Sequence, residues 1–374
     1  MISVLNVSSD LNIGGAGRCI LHFLAHYDRS KFTVDVAVPR GSLLIPEIEQ
    51  LDTRAILVDG MGDKSLDLRA IRALRNVIRE VNPQLVHTHG AMSARIAAKQ
   101  CKKKVIYTRH SVFPVSRKLA SPPGRRLNGW INERYADAII AVADAAKENL
   151  VESGICPSRV EVIQNGVPVQ TKLSSAEIAE EKAKYGIDHN RFVLGILARL
   201  EPVKGHEYLL AATKWLKDQC YPITVLIAGA GGIENELKAR ATQLGLEDTV
   251  IFTGFVPDVV PLLSILDLQI NASWGTEATS LALLEGMSMG IPAVVTEYGG
   301  NPGVITQGKN GVLVPVKDAD ALANTIATMM MDKTAYARMV EGCHAIFAQK
   351  FRVDQYVRNI EAVYQRVAAE KSGG

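Results

Sequence analysis

Two carboxylates stand eight residues apart in a stretch that is otherwise small or apolar. The stretch is WGTEATSLALLEGMSMGIPAV, and the acids are Glu277 and Glu285, with no lysine or arginine among them. A strand pattern, LDLQINAS, precedes them, and a helix is expected to begin near 278–280 and to end at Gly290 and Pro292. Glu277 would then lie at the carboxyl end of the strand, and Glu285 two turns into the helix. Because the leucines make that helix look buried, we expect both acids to have a functional role.

The amides at the start of this helix suggest what that role is. Thr279, Ser280 and Leu281 would offer free N–H groups at the positive end of the helix. A nucleotide sugar fits this layout: the diphosphate on the amides, the ribose hydroxyls on one carboxylate and the sugar hydroxyls on the other. The alternative is a helix with one acid at its N-terminus and one solvated acid.

Two cations follow another buried strand pattern. In GILARLEPVKGHEYLL, Arg199 and Lys204 stand five residues apart, just after the strand and before an amphipathic segment. A guanidinium fork and an ammonium group suit the oxygens of a diphosphate. The alternative is a solvated pair of surface cations.

Two glycine-rich turns also follow strand patterns. LNIGGAGR contains Gly14, Gly15 and Gly17, and LIAGAGGIENEL contains Gly229. Glycines let the backbone approach a ligand closely and leave helix N–H groups free for an anion. The first turn is not G-x-G-x-x-G, and no acid ends the second strand, which argues against an NAD-binding site. The alternative for each turn is a merely tight strand-to-helix connection.

Other motifs that suggest metal chemistry have simpler interpretations. In VKDADAL, Asp318 and Asp320 precede an apolar-periodic segment and are expected to cap a helix. In QLVHTHGAM, His87 and His89 lie on one face of a strand; with no third ligand in the sequence nearby, structural or acceptor-side roles are favoured over zinc. We therefore predict no metal and no cofactor.

The elements that position these residues alternate regularly between strands and helices. Such alternation predicts right-handed βαβ units and parallel sheets. The polar stretch NGVPVQTKLSSAE is predicted to be a linker, and the segment 318–369 is predicted to form two or three helices. The prediction is two doubly wound, Rossmann-like α/β domains facing a central cleft, because such sheets bind ligands beyond the carboxyl ends of their strands.

Composition places the chain among soluble globular proteins. It has 374 residues, 47% of them hydrophobic and 22% charged, and five scattered cysteines, which favours reduced thiols. No secretory signal or transmembrane pattern is seen, so a cytoplasmic location is expected. Residues 1–170 carry 23 Lys/Arg against 16 Asp/Glu, a charge of +7, and the remainder carries −4. The two halves are therefore expected to meet different partners.

Taken together, these motifs resemble glycosyltransferase family 4. The resemblance rests on GGAGR, YTRHSVF, ARLEPVKG, E-x7-E and EYGGNPGVI, which follow one another in this order along the chain. It implies a GT-B fold and retaining transfer of a hexose-type sugar from a UDP- or GDP-sugar, without a metal. It also implies an acceptor-side domain at 1–170, a donor-binding domain at 171–351, and a helix at about 352–372 that packs back on the first. Roles are implied for Arg199 and Lys204 (diphosphate), Glu285 (ribose), Glu277 and His110 (donor sugar) and Gly15 (donor). From the glycine turns and the helix start described above, we also expect Gly14, Gly229, Thr279, Ser280 and Leu281 to bind the donor.

The acceptor is indicated only by a basic segment of the N-terminal half. The basic segment SRKLASPPGRR holds Arg117, Lys118, Arg125 and Arg126, and it suggests a lipid-linked or cell-envelope glycan acceptor at the inner face of a membrane. A solvated loop serving a small neutral acceptor is the alternative. Gly303, Pro168 and Ala278-Thr279-Ser280 depart from the family pattern and leave the donor sugar open. A nucleotide-sugar epimerase of the same fold and a non-catalytic nucleotide-sugar binder are the rival functions.

Overall fold

The computed structural model describes residues 1–62, 64–116 and 121–370. They form two compact units. The N-terminal unit comprises Met1–Gly166 together with the chain from Val353 onward, and the C-terminal unit is Val167–Arg352. Each unit is built on its own parallel sheet.

The sheet of the N-terminal unit has seven strands in the order β3-β2-β1-β4-β5-β6-β7. The strands are β1 (Ile2–Val7), β2 (Phe32–Pro39), β3 (Ala55–Val58), β4 (Leu85–Thr88), β5 (Lys104–Arg109), β6 (Ala138–Ala141) and β7 (Val160–Val162). All neighbouring pairs are parallel. The order changes direction between β1 and β4, which makes that crevice the expected ligand position.

Helices connect these strands, as parallel pairing requires. They are α1 (Gly15–His26), α2 (Leu44–Gln50), α3 (Leu68–Val81), α4 (Met92–Gln100), α5 (Pro122–Arg134) and α6 (Asp144–Glu152). The helix α3 shows how the sequence specifies them: Asp67 caps its first turn, and Ala70, Ile71, Leu74 and Ile78 form its buried face.

The C-terminal unit has a six-stranded parallel sheet in the order β10-β9-β8-β11-β12-β13. Its strands are β8 (Phe192–Leu197), β9 (Ile223–Ala228), β10 (Val250–Gly254), β11 (Leu268–Asn271), β12 (Ala293–Thr296) and β13 (Gly311–Val314). Its helices are α7 (Ser175–Lys184), α8 (His206–Asp218), α9 (Glu234–Gln243), α10 (Val260–Ser264), α11 (Leu281–Ser288), α12 (Asn301–Val304), α13 (Ala319–Met331) and α14 (Lys333–Lys350). Here the strand order changes direction between β8 and β11.

The last described helix, α15 (Val353–Ala369), belongs to the N-terminal unit. Tyr364 is fully buried there, with its ring edge-on to those of Phe23 and Phe32. The N-terminal core is therefore built from an early and a late segment of the chain, and the C-terminal unit lies between these segments in the sequence.

The predicted parallel α/β architecture is confirmed, including three helices in the tail. The strand β13 was missed, because Gly311–Val314 is short and follows directly on a turn at Gly308. Within the described residues, no helix is long and apolar enough to cross a membrane.

Candidate active site

In the C-terminal unit, the predicted donor residues meet at the point where the strand order reverses. The chain leaving β8 carries Arg199 and then a short 3-10 turn, Pro202–Lys204. The chain leaving β11 carries Glu277 and then α11. Because β8 and β11 are neighbours, residues 73 positions apart come into contact.

Lys204 and Glu277 form a buried ion pair. The Lys204 Nζ atom lies 2.8 Å from Glu277 Oε2, and the two side chains are 12% and 8% exposed. Gly205 makes this approach feasible: it has a φ of +71°, and a Cβ there would lie 2.1 Å from the carbonyl oxygen of Ala272. The sequence suggested no partner for Glu277, because the cation comes from a different loop.

Further polar groups hold the carboxylate of Glu277 in place. Ser273 Oγ donates to Oε2 at 3.0 Å, and Asn271 Nδ2 donates to the same oxygen at 3.4 Å. The backbone also fixes this position, since the carbonyl of Glu277 accepts from the Gly300 N–H at 3.2 Å. Sequence reasoning missed Asn271 and Ser273, although their place at the end of the LDLQINAS pattern was a usable signal.

Arg199 is in a different setting. Its guanidinium is largely exposed and pairs with Glu201 at 2.7 Å. An exposed pair of this kind is weak and easily exchanged for another anion. Arg199 is therefore available to a ligand at the same edge of the sheet as Lys204.

The helix α11 begins as predicted, but Glu285 lies closer to its start than expected. Ser280 is the N-cap, and its Oγ accepts from the Leu283 N–H at 3.4 Å. Leu281 is the first helical residue, so Glu285 lies about one turn in, not two. Glu285 is only 4% exposed and Glu277 6%, so neither is the solvated acid of the alternative interpretation. Thr279 is partly exposed beside them.

The glycine turn after β9 packs against the turn that carries Arg199. Gly229 has a φ of +141°, and a Cβ there would lie 2.0 Å from the Ala198 carbonyl oxygen. Its N–H already donates to Gly254. Close packing between two loops accounts for Gly229, and its predicted contact with the donor stays a prediction.

A buried histidine, His206, begins α8 next to Lys204 and was not singled out from the sequence. It is 1% exposed, and neither ring nitrogen has a partner among the described residues. Burial, assisted by the charge of Lys204, lowers its pKa to about 4. His206 is therefore neutral near pH 7 and adds no third cation to Arg199 and Lys204.

In the N-terminal unit, the first glycine turn leaves the start of α1 open. A Cβ at Gly14 or Gly15 would find nothing within 4 Å, whereas one at Gly17 would lie 2.9 Å from Leu44. Gly14 is the N-cap, and no side chain caps the helix. The first amides of α1 are thus accessible to an anion at the switch point of this sheet.

Three histidines meet beside this turn. His89 Nδ1 lies 2.9 Å from His110 Nε2, and the rings of His87 and His89 are 4.3 Å apart between centroids. Burial lowers the pKa of His87 to about 3 and that of His110 to about 4, and holds the pKa of His89 well below its ordinary value.

The sequence did not reveal that His110 joins His87 and His89, because it follows the next strand along the sheet. Across the described ranges, no group of three or more His, Cys, Asp or Glu is arranged to hold a metal ion. Asp318 caps α13 as predicted, by accepting from the Ala321 N–H at 2.8 Å, while Asp320 lies within the first turn.

The basic segment is described in part. Arg117 and Lys118 lie outside the described residues. Arg125 and Arg126 are exposed near the start of α5, and Arg125 Nη2 donates to the Val151 carbonyl at 3.1 Å. The same helix exposes Leu127 and Trp130, at 58% and 62%.

Comparison with known proteins assigns these features to a family. Residues 13–171 match the family described as Glycosyltransferase Family 4, and residues 177–343 match Glycosyl transferases group 1. The chain is 29% identical to EpsD of Bacillus subtilis (strain 168), over 70% of this chain and 71% of EpsD.

It is 26% identical to the UDP-Gal:alpha-D-GlcNAc-diphosphoundecaprenol alpha-1,3-galactosyltransferase of Escherichia coli, over 82% and 81% of the two chains. Among solved structures, Anabaena Alr3699/HepE in complex with UDP-glucose superposes with a TM-score of 0.85 at 24% identity, covering 98% of this chain and all of that one. The two family matches together span most of the chain, and the chain belongs to glycosyltransferase family 4, whose GT-B fold its two Rossmann-like units build.

Proposed function

We propose that this glycosyltransferase moves a hexose-type sugar from a UDP-sugar, with retention of the anomeric configuration, to a lipid-linked or cell-envelope glycan. The observation that carries the donor half of the proposal is the buried Lys204–Glu277 pair at the switch point of the C-terminal sheet. UDP is preferred over GDP because the E. coli relative is named for UDP-Gal and the HepE structure contains UDP-glucose.

The cations in this proposal act on the leaving group. Lys204 and Arg199 compensate the charge that develops on UDP as the glycosidic bond breaks, and the amides at Thr279, Ser280 and Leu281 assist. Fixed donors aimed at a developing charge are worth roughly two to three orders of magnitude in kcat for each one removed. Exchange of the carboxylates of Glu201 and Glu277 for phosphate oxygens would free both cations for this role.

In this proposal the two carboxylates bind hydroxyl groups of the donor. Glu277 lies beside Lys204 and binds the donor sugar, while Glu285, about one turn along α11, binds the ribose. From the N-terminal unit we assign His110 to the sugar, and the amides near Gly14 and Gly15 to the donor. No cofactor takes part, and the protein's own groups meet the diphosphate charge without a metal.

A panel of UDP- and GDP-sugars tests the donor assignment, by thermal shift and then by turnover, with and without EDTA. We expect stabilisation and turnover with UDP-sugars, undiminished by EDTA. Arg199→Ala should lower kcat about 10- to 1000-fold. Lys238→Ala is the matched control, because Lys238 pairs with Glu234 on the surface of α9. Loss of activity in EDTA with rescue by Mn²⁺, or an Arg199→Ala variant within twofold of wild type, would contradict the proposal.

The same panel separates the rival functions. An epimerase would convert the nucleotide sugar with no acceptor present, and a binder would be stabilised without any turnover. Either outcome would replace the transferase assignment for this chain.

For the acceptor side, we propose contact of α5 with an anionic membrane surface. Arg126, Leu127, Trp130 and Arg134 are all exposed and fall within about 100° of one helix face. Cations beside exposed Leu and Trp side chains are typical of helices that lie in the lipid interface. The E. coli relative is named for an acceptor on diphosphoundecaprenol, which supports a lipid-linked substrate here.

Sedimentation with phosphatidylglycerol vesicles tests this contact. Wild type should co-pellet at low salt, less at high salt, and little with phosphatidylcholine alone. Arg126→Ser/Arg134→Ser should weaken binding by about 1 kcal/mol per cation. Arg338→Ser/Lys350→Ser, which removes two exposed cations from the C-terminal unit, is the matched control. Equal binding by both double variants would contradict a specific role for α5.

A further inference from the structure

The histidine cluster of the N-terminal unit continues into a buried asparagine. Asn6, near the end of β1, is 2% exposed, and its Oδ1 atom lies 3.0 Å from His89 Nε2. His89 is 8% exposed, and its other ring nitrogen meets His110 Nε2 at 2.9 Å. Asn6, His89 and His110 therefore form one hydrogen-bonded line, which we call the Asn6–His89–His110 relay.

The chemistry of the first member fixes the direction of this line. In the structure Asn6 turns its amide oxygen toward His89, and an amide oxygen only accepts, so in this arrangement His89 carries its proton on Nε2. Neutral His89 then has its lone pair on Nδ1 and can only accept there. His110 must therefore donate from Nε2, which leaves the lone pair of its own neutral ring on Nδ1.

That lone pair is free within the described part of the chain. His110 Nδ1 is buried and has no hydrogen-bond partner there. His87, by contrast, uses both ring nitrogens, toward Tyr364 at 2.8 Å and Thr108 at 2.7 Å. Both nitrogens of His89 are engaged as well. His110 is thus the ring of the three that still has an acceptor to offer.

We propose that Asn6 and His89 are positioning residues that hold His110 in its Nε2–H tautomer, so that Nδ1 accepts a hydrogen bond from a hydroxyl of the donor sugar. This inference rests on the role proposed above for His110. A ring in the opposite tautomer would present an N–H at that position, and a misplaced imidazole proton is costly in enzymes that depend on it.

Two pairs of substitutions isolate the relay. Asn6→Asp, when the new carboxylate is ionised, keeps an oxygen that only accepts, whereas Asn6→Leu removes it at similar size. His89→Gln keeps one acceptor and one donor, as neutral imidazole has, whereas His89→Leu keeps neither. Thermal unfolding of all four verifies that each variant is folded before it is compared.

Nitrogen NMR of ¹⁵N-histidine-labelled full-length protein gives the direct readout, with His110→Leu to assign the signals. In wild type we expect a protonated Nε2 and a lone-pair Nδ1 on His110. The Nδ1 signal should shift on adding the UDP-sugar found in the panel but not on adding UDP. Asn6→Asp should keep this tautomer, and Asn6→Leu should let both forms appear. A proton on Nδ1 in wild type, or an unchanged tautomer in Asn6→Leu, would overturn the inference.

Turnover of the UDP-sugar found in the panel gives the functional readout. Asn6→Leu and His89→Leu should each lower kcat roughly tenfold, the worth of one hydrogen bond, with little change in KM for the donor. Asn6→Asp and His89→Gln should recover most of that loss. An Nδ1–H ring in an enzyme that still transfers sugar would overturn the relay alone. An Nε2–H ring whose Nδ1 signal does not respond to that UDP-sugar would instead overturn the sugar contact of His110.

Discussion

At the residue scale, the two cations of the proposed donor site differ in how strongly the protein depends on them. Lys204 and Glu277 are both largely withdrawn from water, and removing one partner of such a pair leaves a buried charge uncompensated. Arg199 and Glu201 face solvent, where an ion pair contributes at most about 1 kcal/mol. Both cations are proposed for the same reaction, yet only one is tied to stability.

We therefore expect Lys204→Met to lower the free energy of unfolding by about 3 kcal/mol. Lys204→Met/Glu277→Gln should regain most of this loss, because no unpaired charge then remains. Arg199→Met, the exposed counterpart, should change stability by less than about 1 kcal/mol. Urea unfolding of wild type, Lys204→Met, Glu277→Gln and the double variant gives the coupling energy of the pair. Additive losses in the double variant would mean that the pair is not coupled in solution.

The sequence placed the residues of this site in the correct loops but not in their pairings. Glu277 was predicted beyond the carboxyl end of the strand, where it lies, and Glu285 within a helix that looked buried, where it is 4% exposed. That Lys204 meets Glu277 depends on β8 lying next to β11, and strand order is not encoded in local periodicity. The same reason hid the contact between His89 and His110.

At the scale of elements, glycines set how closely the loops around the proposed donor site approach each other. Gly229 and Gly232 stand in the same turn after β9 but in different surroundings. A Cβ at Gly229 would collide with the Ala198 carbonyl, and its φ of +141° disfavours any other residue. A Cβ at Gly232 would meet nothing within 4 Å.

Gly229→Ala should therefore destabilise the protein by about 1–3 kcal/mol. Gly232→Ala, the matched control, should be neutral or slightly stabilising, because alanine restricts the unfolded chain. The midpoint of urea unfolding distinguishes the two variants. Equal effects would show that the turn after β9 relaxes away from Ala198.

Elements with strong local signals were predictable, and those without were not. The buried strands and the capped helix α13 follow from apolar runs and from Asp318. The strand β13 was missed because four residues after a turn carry too little pattern to separate a strand from a loop. Its pairing with β12 supplies what its own sequence lacks.

At the scale of the whole molecule, buried histidines make stability depend on pH. Burial lowers the pKa of His22 and His206 to about 4, as it does for His110, and lowers those of His87 and His89 too. A histidine in the unfolded chain binds a proton below about pH 6.5. The same histidine in the folded protein stays neutral until the pH falls to about 4. Stability is therefore full above about pH 6.5 and is lost as the pH falls toward 4.

Each of these histidines should remove up to about 1.4 kcal/mol per pH unit below pH 6.5. Urea unfolding at pH 7, 6 and 5 should show a falling midpoint, and His22→Leu should make the fall less steep. A midpoint that is constant over this range would contradict the neutral, buried state of the cluster.

The order of the chain has a consequence for its synthesis. Because α15 completes the N-terminal core through Tyr364, the unit that emerges first from the ribosome is the last to be finished. The C-terminal unit has all of its strands and helices once Arg352 has been made. Until α15 follows, the nascent N-terminal sheet lacks its closing helix, and His87 lacks the hydroxyl that its Nδ1 meets in the finished protein.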